Sequence, residues 1–585
     1  MGRQAAGGMH VDRVRSRHVA KSGETREYES RLLRRSFRKP DGKVGKETLA
    51  NLSALPAAAV DAVEAVLKGK TLVEAGAGLA VTRSRAHGHV ALVHAAARQL
   101  GLPELLGPAC RQRDLAYGLI ISRVVAPKPK LATLAWWDDV TLGADLGIAD
   151  APRDGVYEAM DWLLERQDPI EAELAGRHLH EGGIAMFDLS SSWVEGSHCE
   201  LAARGYSRDG KKGREQIEYG LLTDAEGRPV AIRVFAGNTA DPSAFIQAVD
   251  VIRDKFGLAR MVMVGDRGMI TSARIRALED LGGLSWITCL RAPAIRKLAA
   301  DSGPLQLSLF DQQDLAEITS PDYPGERLIA CRNPLLAAER ARKREDLLAA
   351  TEALLAKVAA QAATGRIRGA DKIGVRAGRV VNKHKMAKHL ILDISDDHLA
   401  WRRDQAAIDA EAALDGIYVI RTPLPASEMD APATVTAYKN LAFVERDFRS
   451  MKADDLDLRP IHHWLEDRVR AHVLICMLAA YLAWHLRRTL APLTYTDEQP
   501  AARGGNPVAP ARRSRHASIK AAAHASADGQ ALRSFRGLID HLATLTRNTI
   551  TIGGASFEKI TNPTPAQRRA FELIGTPIPL TLTLQ

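Results

Sequence analysis

Three acidic residues stand out by their setting. Asp188 ends the apolar run Ile184-Ala-Met-Phe187, and Asp266 ends Met261-Val-Met-Val-Gly265. Each carries a carboxylate to the rim of a core, which is costly unless a cation or a donor meets it. Two such carboxylates on neighbouring strands form a site for a hard divalent ion such as Mg²⁺, which keeps positions open for water and phosphate oxygens. The plainer alternative is that either Asp caps the loop or helix that follows it. After Asp266, Gly268 lets the backbone approach a phosphate, with Arg267 beside it. The third acid is Glu445. Tyr438, Leu441, Arg449 and Lys452 stand at −7, −4, +4 and +7 from it, each within about 40° on a helix of about 3.6 residues per turn. A core-facing stripe would exclude those charges, whereas a solvated face with Glu–Arg pairing would need no function. Three acids around two metal ions would perform in-line displacement at phosphorus, one ion activating water or a 3′-hydroxyl and the other stabilising the leaving oxygen.

The elements that must position these acids are legible in outline. Ile184 to Leu189, Ile217 to Thr223 and Pro229 to Phe235 read as strands, with the turn Asp224-Ala-Glu-Gly-Arg228 making a hairpin of the last two. A helix from Asp241 to Lys255, a strand from Met261 to Gly265, a helix from Thr271 to Leu281 and a strand from Leu284 to Cys289 follow. Three antiparallel-type strands and then α-β-α-β is the order of an RNase H-like domain, a mixed sheet flanked by helices. Residues 291–433 interrupt it. They hold a charged amphipathic helix near Leu335 to Val358, a basic stretch between Arg366 and Lys388, and strand-like runs at Leu390 to Ile394 and Ile417 to Arg421. Helical character resumes from Thr434 to Ala453.

The expected organisation is a basic arm and β-hairpin over 1–55, a helical DNA-binding region over 56–180, and a first core part over 181–290. An inserted subdomain over 291–433, a second core part over 434–490 and a C-terminal region over 491–585 complete it. Residues 11–46 carry 12 Lys/Arg against 5 Asp/Glu, and Lys39-Pro-Asp-Gly42 between two strand-like runs signals a hairpin. A solvated helical bundle is the bland alternative for 56–180.

Composition bounds the rest. The chain has 585 residues, 46% hydrophobic and 26% charged, which excludes a disordered, collagen-like or coiled-coil chain. The net charge of +10 suits a polyanionic partner. Five scattered Cys without a CxxC pair argue against a disulfide framework or zinc module and fit a reducing compartment. No signal peptide opens the chain, and the apolar stretch Val473 to Trp484 is short for a span of about 20 residues. An intracellular protein without a membrane partner is expected. His462, His463 and His472 lack partners for a tetrahedral metal set and read as polar positions on a helix after Pro460. Ser190, Ser191 and Ser192 lack a nucleophile elbow, no Walker A or GxGxxG pattern is present, and Trp136-Trp137 reads as core before DNA wedge.

The segment Tyr438-Lys-Asn-Leu-Ala-Phe-Val-Glu445-Arg-Asp-Phe-Arg-Ser-Met-Lys452 resembles bacterial insertion-sequence transposases of the DDE class, in the branch marked by Tyr-x2-Arg-x3-Glu-x6-Lys. Tyr, Glu and Lys match, while Leu441 stands at the Arg position, so Arg446 or Arg449 must serve if that contact exists. Phe187-Asp-Leu-Ser-Ser-Ser-Trp-Val-Glu-Gly196 and Val264-Gly-Asp-Arg-Gly-Met269 fit the first two acids, and Leu458 to His472 is also familial. The separations are 78 and 179 residues, the longer one resembling the family's insertion. The resemblance implies an RNase H-like core with Asp188, Asp266 and Glu445 as catalytic metal ligands, two Mg²⁺ or Mn²⁺ ions, and Tyr438 and Lys452 as DNA contacts. Arg449 and Arg267 join the DNA contacts from the helical face and the Asp266 turn. It further implies double-stranded DNA partners (terminal inverted repeats and target DNA), a homodimer in the synaptic complex, and work at the nucleoid of a bacterial cytoplasm. An RNase H-like nuclease without strand transfer, and a non-catalytic transposase-derived DNA-binding protein, are the alternatives.

Overall fold

The computed structural model of the chain describes residues 8–19, 25–39, 42–70, 72, 79–239, 241–271, 275–276, 278, 282–300, 303–311, 313–500, 506–552 and 554–584. They form two units. The first comprises Met1–Arg85 with Thr546–Thr561. In it β1 (Met9–Val19), β2 (Thr25–Arg38) and β3 (Val44–Asn51) form an antiparallel sheet. The expected hairpin is the β2–β3 pair. Gly42 adopts φ +80°, a conformation L side chains resist, and donates to the Lys39 carbonyl at 2.9 Å. Pro40 and Asp41 of that turn lie outside the described residues. Helix α1 (Ala57–Leu67) is tied to β1 by Arg13, 2.5 Å from Asp61 and 3.3 Å from Glu64. A second sheet joins β4 (Ala80–Ala86) to the hairpin of β15 (Thr546–Ile552) and β16 (Ala555–Ile560).

The second unit comprises Ala86–Leu545 with Asn562–Gln585. Its helical layer holds α2 (Gly88–Gln99), α3 (Arg111–Val125), α4 (Arg153–Leu164) and α5 (Gln167–His178). Within it, α2, α3 and α4 pack on α11 (Glu466–Thr489). Nearly every residue of α11 from Val469 to Leu486 is buried, as expected of a helix apolar on all sides. By length and composition α11 could cross a membrane, but 83% of its most apolar window is buried within the protein. The helix is longer than the apolar stretch because polar residues at both ends continue it. The helices of 88–178 therefore share a core with 466–489, and the expected boundary at 180 is not one. Sequence periodicity marks helices but not their partners.

The central sheet has eight strands in the order β10-β11-β14-β9-β8-β5-β6-β7. They are β5 (Ile184–Trp193), β6 (Gln216–Asp224), β7 (Pro229–Ala236), β8 (Met261–Val264), β9 (Leu284–Cys289), β10 (Leu315–Ile318), β11 (Arg327–Arg332) and β14 (Ile417–Thr422). β5, β8 and β9 run parallel to one another, and the other pairs are antiparallel. Helix α6 (Asp241–Asp250) packs on β5 and β6, and α5 lies on β7. The expected helix from Thr271 to Leu281 lies largely outside the described residues.

Residues 291–433 are only in part an insertion, because β10, β11 and β14 extend the central sheet over their own cluster of Leu290, Leu328, Ile417 and Val419. What stands apart is a lobe of α7 (Pro334–Ala363), α8 (Ala370–Lys383) and the hairpin of β12 (Leu390–Ile394) and β13 (Leu399–Arg403). It has a separate core including Leu348, Leu355, Ile373, Ala377, Val381 and Leu399. Arg403 on β13 binds Glu345 and Glu352 of α7 at 2.8–2.9 Å.

Candidate active site

Asp188 and Asp266 meet through strand register. Met186 pairs with Val264 at the end of the parallel β5–β8 ladder, and the separation of 78 residues read from the sequence is the offset of this ladder. Asp188 comes two residues later within β5, and Asp266 two residues past the end of β8, in the turn that follows it. Asp188 is half-buried, and its Oδ1 accepts from the Leu189 N–H at 2.8 Å. Asp266 is exposed, and its Oδ1 accepts from the N–H groups of Gly268 and Met269 at 2.7 and 3.0 Å. The capping alternative is thus realised for one oxygen of Asp266. Among the described residues nothing donates to Oδ2 of either aspartate.

Glu445 is brought to the same place by a packed helix pair, α9 (Ala431–Lys439) and α10 (Leu441–Arg449), followed by a π-helical turn over Ser450–Asp454. Val444 and Phe448 are buried where α10 lies on β5, and Phe448 meets Tyr219 edge-on at 5.7 Å. Gly227 in the β6–β7 turn lies so close to Phe443 that a Cβ there would overlap it. Glu445 itself is exposed and has no partner among the described residues. Burial raises the Asp188 carboxyl to about 7. The nearby carboxylates of Asp266 and Glu445 add to the rise, while the Leu189 N–H and Arg208 oppose it. Asp266 and Glu445 are therefore each within electrostatic reach of Asp188. Among the described residues, however, no three His, Cys, Asp or Glu are gathered closely enough to hold a metal ion. The donor set suits a divalent ion: hard carboxylate oxygens, unpartnered on Asp188 of β5 and on Asp266 just past β8, and a half-buried acid whose raised pKa a cation would reverse.

The expected DNA contacts divide. Arg267 and Arg449 are exposed and have no acidic partner among the described residues. Lys452 is a correction. It is 8% exposed and its ammonium binds the buried Asp209 at 2.8 Å, with Arg459 on the same carboxylate oxygen. Burial lowers the Lys452 pKa and Asp209 opposes the shift. The residue locks the turn after α10 to the loop between β5 and β6 and is not available to phosphate. Tyr438 is half-buried beside Cys289, and burial raises its hydroxyl pKa. Sequence reasoning missed Asp209, Arg459 and Arg208, whose N–H donates to Ser191 at 3.0 Å. The only signal was an acid in a basic loop, Arg208-Asp-Gly-Lys-Lys212. It also missed Asp447, which burial raises to about 7 against Arg446 and Arg487.

The remaining candidates are structural. Ser191 and Ser192 are fully buried, and Ser192 Oγ lies 3.0 Å from the Tyr219 hydroxyl. His472 bonds Lys130 at 3.0 Å and the Leu458 carbonyl at 3.1 Å, and burial lowers its pKa. His462 and His463 precede α11 instead of lying on it, and burial lowers His463 to about 3. Trp137 is wholly buried and donates to Ser122 at 2.9 Å.

The sequence profile of the transposase DDE domain matches residues 187–482, just over half the chain, a stretch that includes all three acids. The chain belongs to the transposase DDE domain family. It is accordingly a DNA transposase, and divalent-metal dependence is general in its class. Among solved structures, the piggyBac transposase synaptic complex with hairpin DNA resembles this transposase with a TM-score of 0.34 and 8% identity. That match covers 78% of this chain and 76% of that one, a likeness too distant to carry structural inference. No curated protein matches the transposase in sequence.

Proposed function

We propose that this chain is the transposase of a bacterial insertion sequence, of the branch marked by Tyr-x2-Arg-x3-Glu-x6-Lys. In this reading it cuts the terminal inverted repeats and joins them to target DNA on an RNase H-like core. Asp188, Asp266 and Glu445 hold two ions, Mg²⁺ or Mn²⁺. The observation that carries the reading is that Asp188 lies on β5 and Asp266 just past the end of the adjacent parallel strand β8, with the Glu445 helix packed on β5. The sheet order β7-β6-β5-β8-β9, antiparallel and then parallel, supports the core assignment. Bound there, the ions would polarise the scissile phosphate and activate water or a 3′-hydroxyl.

The chain's own residues supply the setting. Asp266 keeps its turn closed through Oδ1 and offers Oδ2, while Asp188 releases its proton when a cation replaces it. Arg267 and Arg449 neutralise phosphates on either side. Two subunits hold two ends in a synaptic dimer at the nucleoid, with the basic strands β1–β3 gripping duplex. The test uses labelled transposon-end duplex, Mg²⁺ and a target plasmid. The wild type gives end-joined plasmid, whereas Asp188→Asn binds the ends but neither cuts nor joins, since binding rests mainly on phosphate contacts. Cleavage retained by Asp188→Asn would overturn the ligand assignment. Cleavage by the wild type without joined product would make the chain a nuclease.

A further inference from the structure

Next to the acids lies a cavity of about 390 Å³ that the reading above leaves unused. Its walls come from distant segments: Arg267 after Asp266, Arg296 from the helix Ala292–Leu298, and Arg340 and Lys343 from the start of α7. All four cations are exposed, and among the described residues none has an acidic partner. Two further cations of the wall are already committed, Arg344 to Asp415 and Lys388 to Glu411. The wall therefore carries four uncompensated positive charges. Exposed cations along one helix are an ordinary solvated face. Here three segments converge on one hollow, where like charges raise one another's energy unless an anion lies between them.

We infer that this cavity binds the phosphodiester backbone of an unpaired DNA strand leaving the three-acid site, an inference that rests on the DNA-cutting function proposed above. The class of ligand follows from charge and size. Arginines present forks that match phosphate oxygens. The volume lies within the ~300–1,000 Å³ of small-ligand clefts and is far too narrow for a duplex. Leu347 and Leu414 add apolar wall against which a sugar can pack. Arg267 follows Asp266 directly, so a strand in the cavity continues from the bond being cut.

The experiment measures fluorescence anisotropy of labelled oligothymidine with the full-length protein across a salt series. Arg340→Ala/Lys343→Ala weakens binding and lowers the salt slope by about 1.4, two phosphates at about 0.7 each for a single strand. Arg296→Ala, from a separate segment, lowers it by about 0.7. Lys357→Ala, exposed on α7 away from the cavity, leaves the slope as in the wild type. Unchanged slopes in both cavity variants, with the wild type binding DNA, overturn the inference and leave the transposase reading intact. Displacement of the oligonucleotide by pyrophosphate at equal phosphate concentration also overturns it, since the occupant is then a small polyphosphate. A wild-type protein that binds neither oligothymidine nor transposon-end duplex overturns the functional reading and the inference together.

Discussion

Asp188 sits where three demands meet: the middle of strand β5, a half-buried environment and two neighbouring carboxylates. Its carboxyl moves from an ordinary 3.8 to about 7, because burial penalises the anion and Asp266 and Glu445 repel it. The folded chain thus holds a proton that the unfolded chain has lost across that window. Asp188 therefore contributes stability at low pH that is lost as pH rises toward 7. A divalent ion competes with the same proton, so metal affinity rises with pH by up to about tenfold per unit until about pH 7. Melting curves with and without Mn²⁺ at about pH 5.5 and about pH 7.5 check both signs. The Mn²⁺-induced rise in Tm is larger at the higher pH and vanishes in Asp188→Asn. Equal rises at both pH values would remove Asp188 from the ligands. The apolar run up to Asp188 was legible beforehand as a strand, but β5 continues through Asp188 to Trp193 instead of ending there. The partial capping role of Asp266 was legible too, as the alternative reading of the same pattern.

At the scale of elements, the position of Glu445 depends on what holds α10. Val444 and Phe448 seat the helix on β5, and the Asp209–Lys452–Arg459 cluster pins the π-helical turn that follows. Removing Lys452 strips one of two cations from the buried Asp209 carboxylate while Arg459 stays on the same oxygen, so the cost is that of a lost charge-assisted hydrogen bond, about 1.5–3 kcal/mol. Lys452→Ala is expected to lower stability by that order in denaturant titration, while the salt dependence of DNA binding stays as in the wild type. A slope smaller by one phosphate's worth would return Lys452 to the DNA contacts. The sequence pattern expected Lys452 on one helical face with Glu445, but the helix breaks at Asn440 and turns π-helical from Ser450, so Glu445 is exposed while Lys452 is buried on a partner 243 residues earlier. Helical periodicity reports a face and says nothing of what covers it.

Across the whole molecule, the lobe over α7 to β13 shows how an insertion is carried without disturbing the sheet. Its entry and exit touch: Arg332 pairs with Ile417, and the Asn333 N–H donates to the Gly416 carbonyl at 2.9 Å. The lobe core is separate from the cluster under β11 and β14. Replacing residues 335–414 by a short glycine linker is therefore expected to leave a cooperatively melting sheet core. Circular dichroism and thermal melting check this, and loss of cooperativity would mean that the lobe is integral to the sheet. The C-terminal region, unreadable in advance, completes both units. Its β15–β16 hairpin joins β4, and α12 (Pro565–Ile574) with the tail packs under α2, where His94 Nε2 lies 3.0 Å from the Thr583 carbonyl.

Local chemistry was written in the residue order. Apolar runs announced strands, and the Tyr438-to-Lys452 segment carried a family resemblance. Those features depend on neighbours a few positions away, which any reader of the chain can see. Partnership did not reside there. The burial of Lys452, the shared core of 88–178 with 466–489, the extension of the sheet by β10, β11 and β14, and the convergence of Arg267, Arg296, Arg340 and Lys343 on one hollow each join segments far apart in the chain. Such pairings follow from which surfaces pack most favourably after collapse, a property of the assembled molecule.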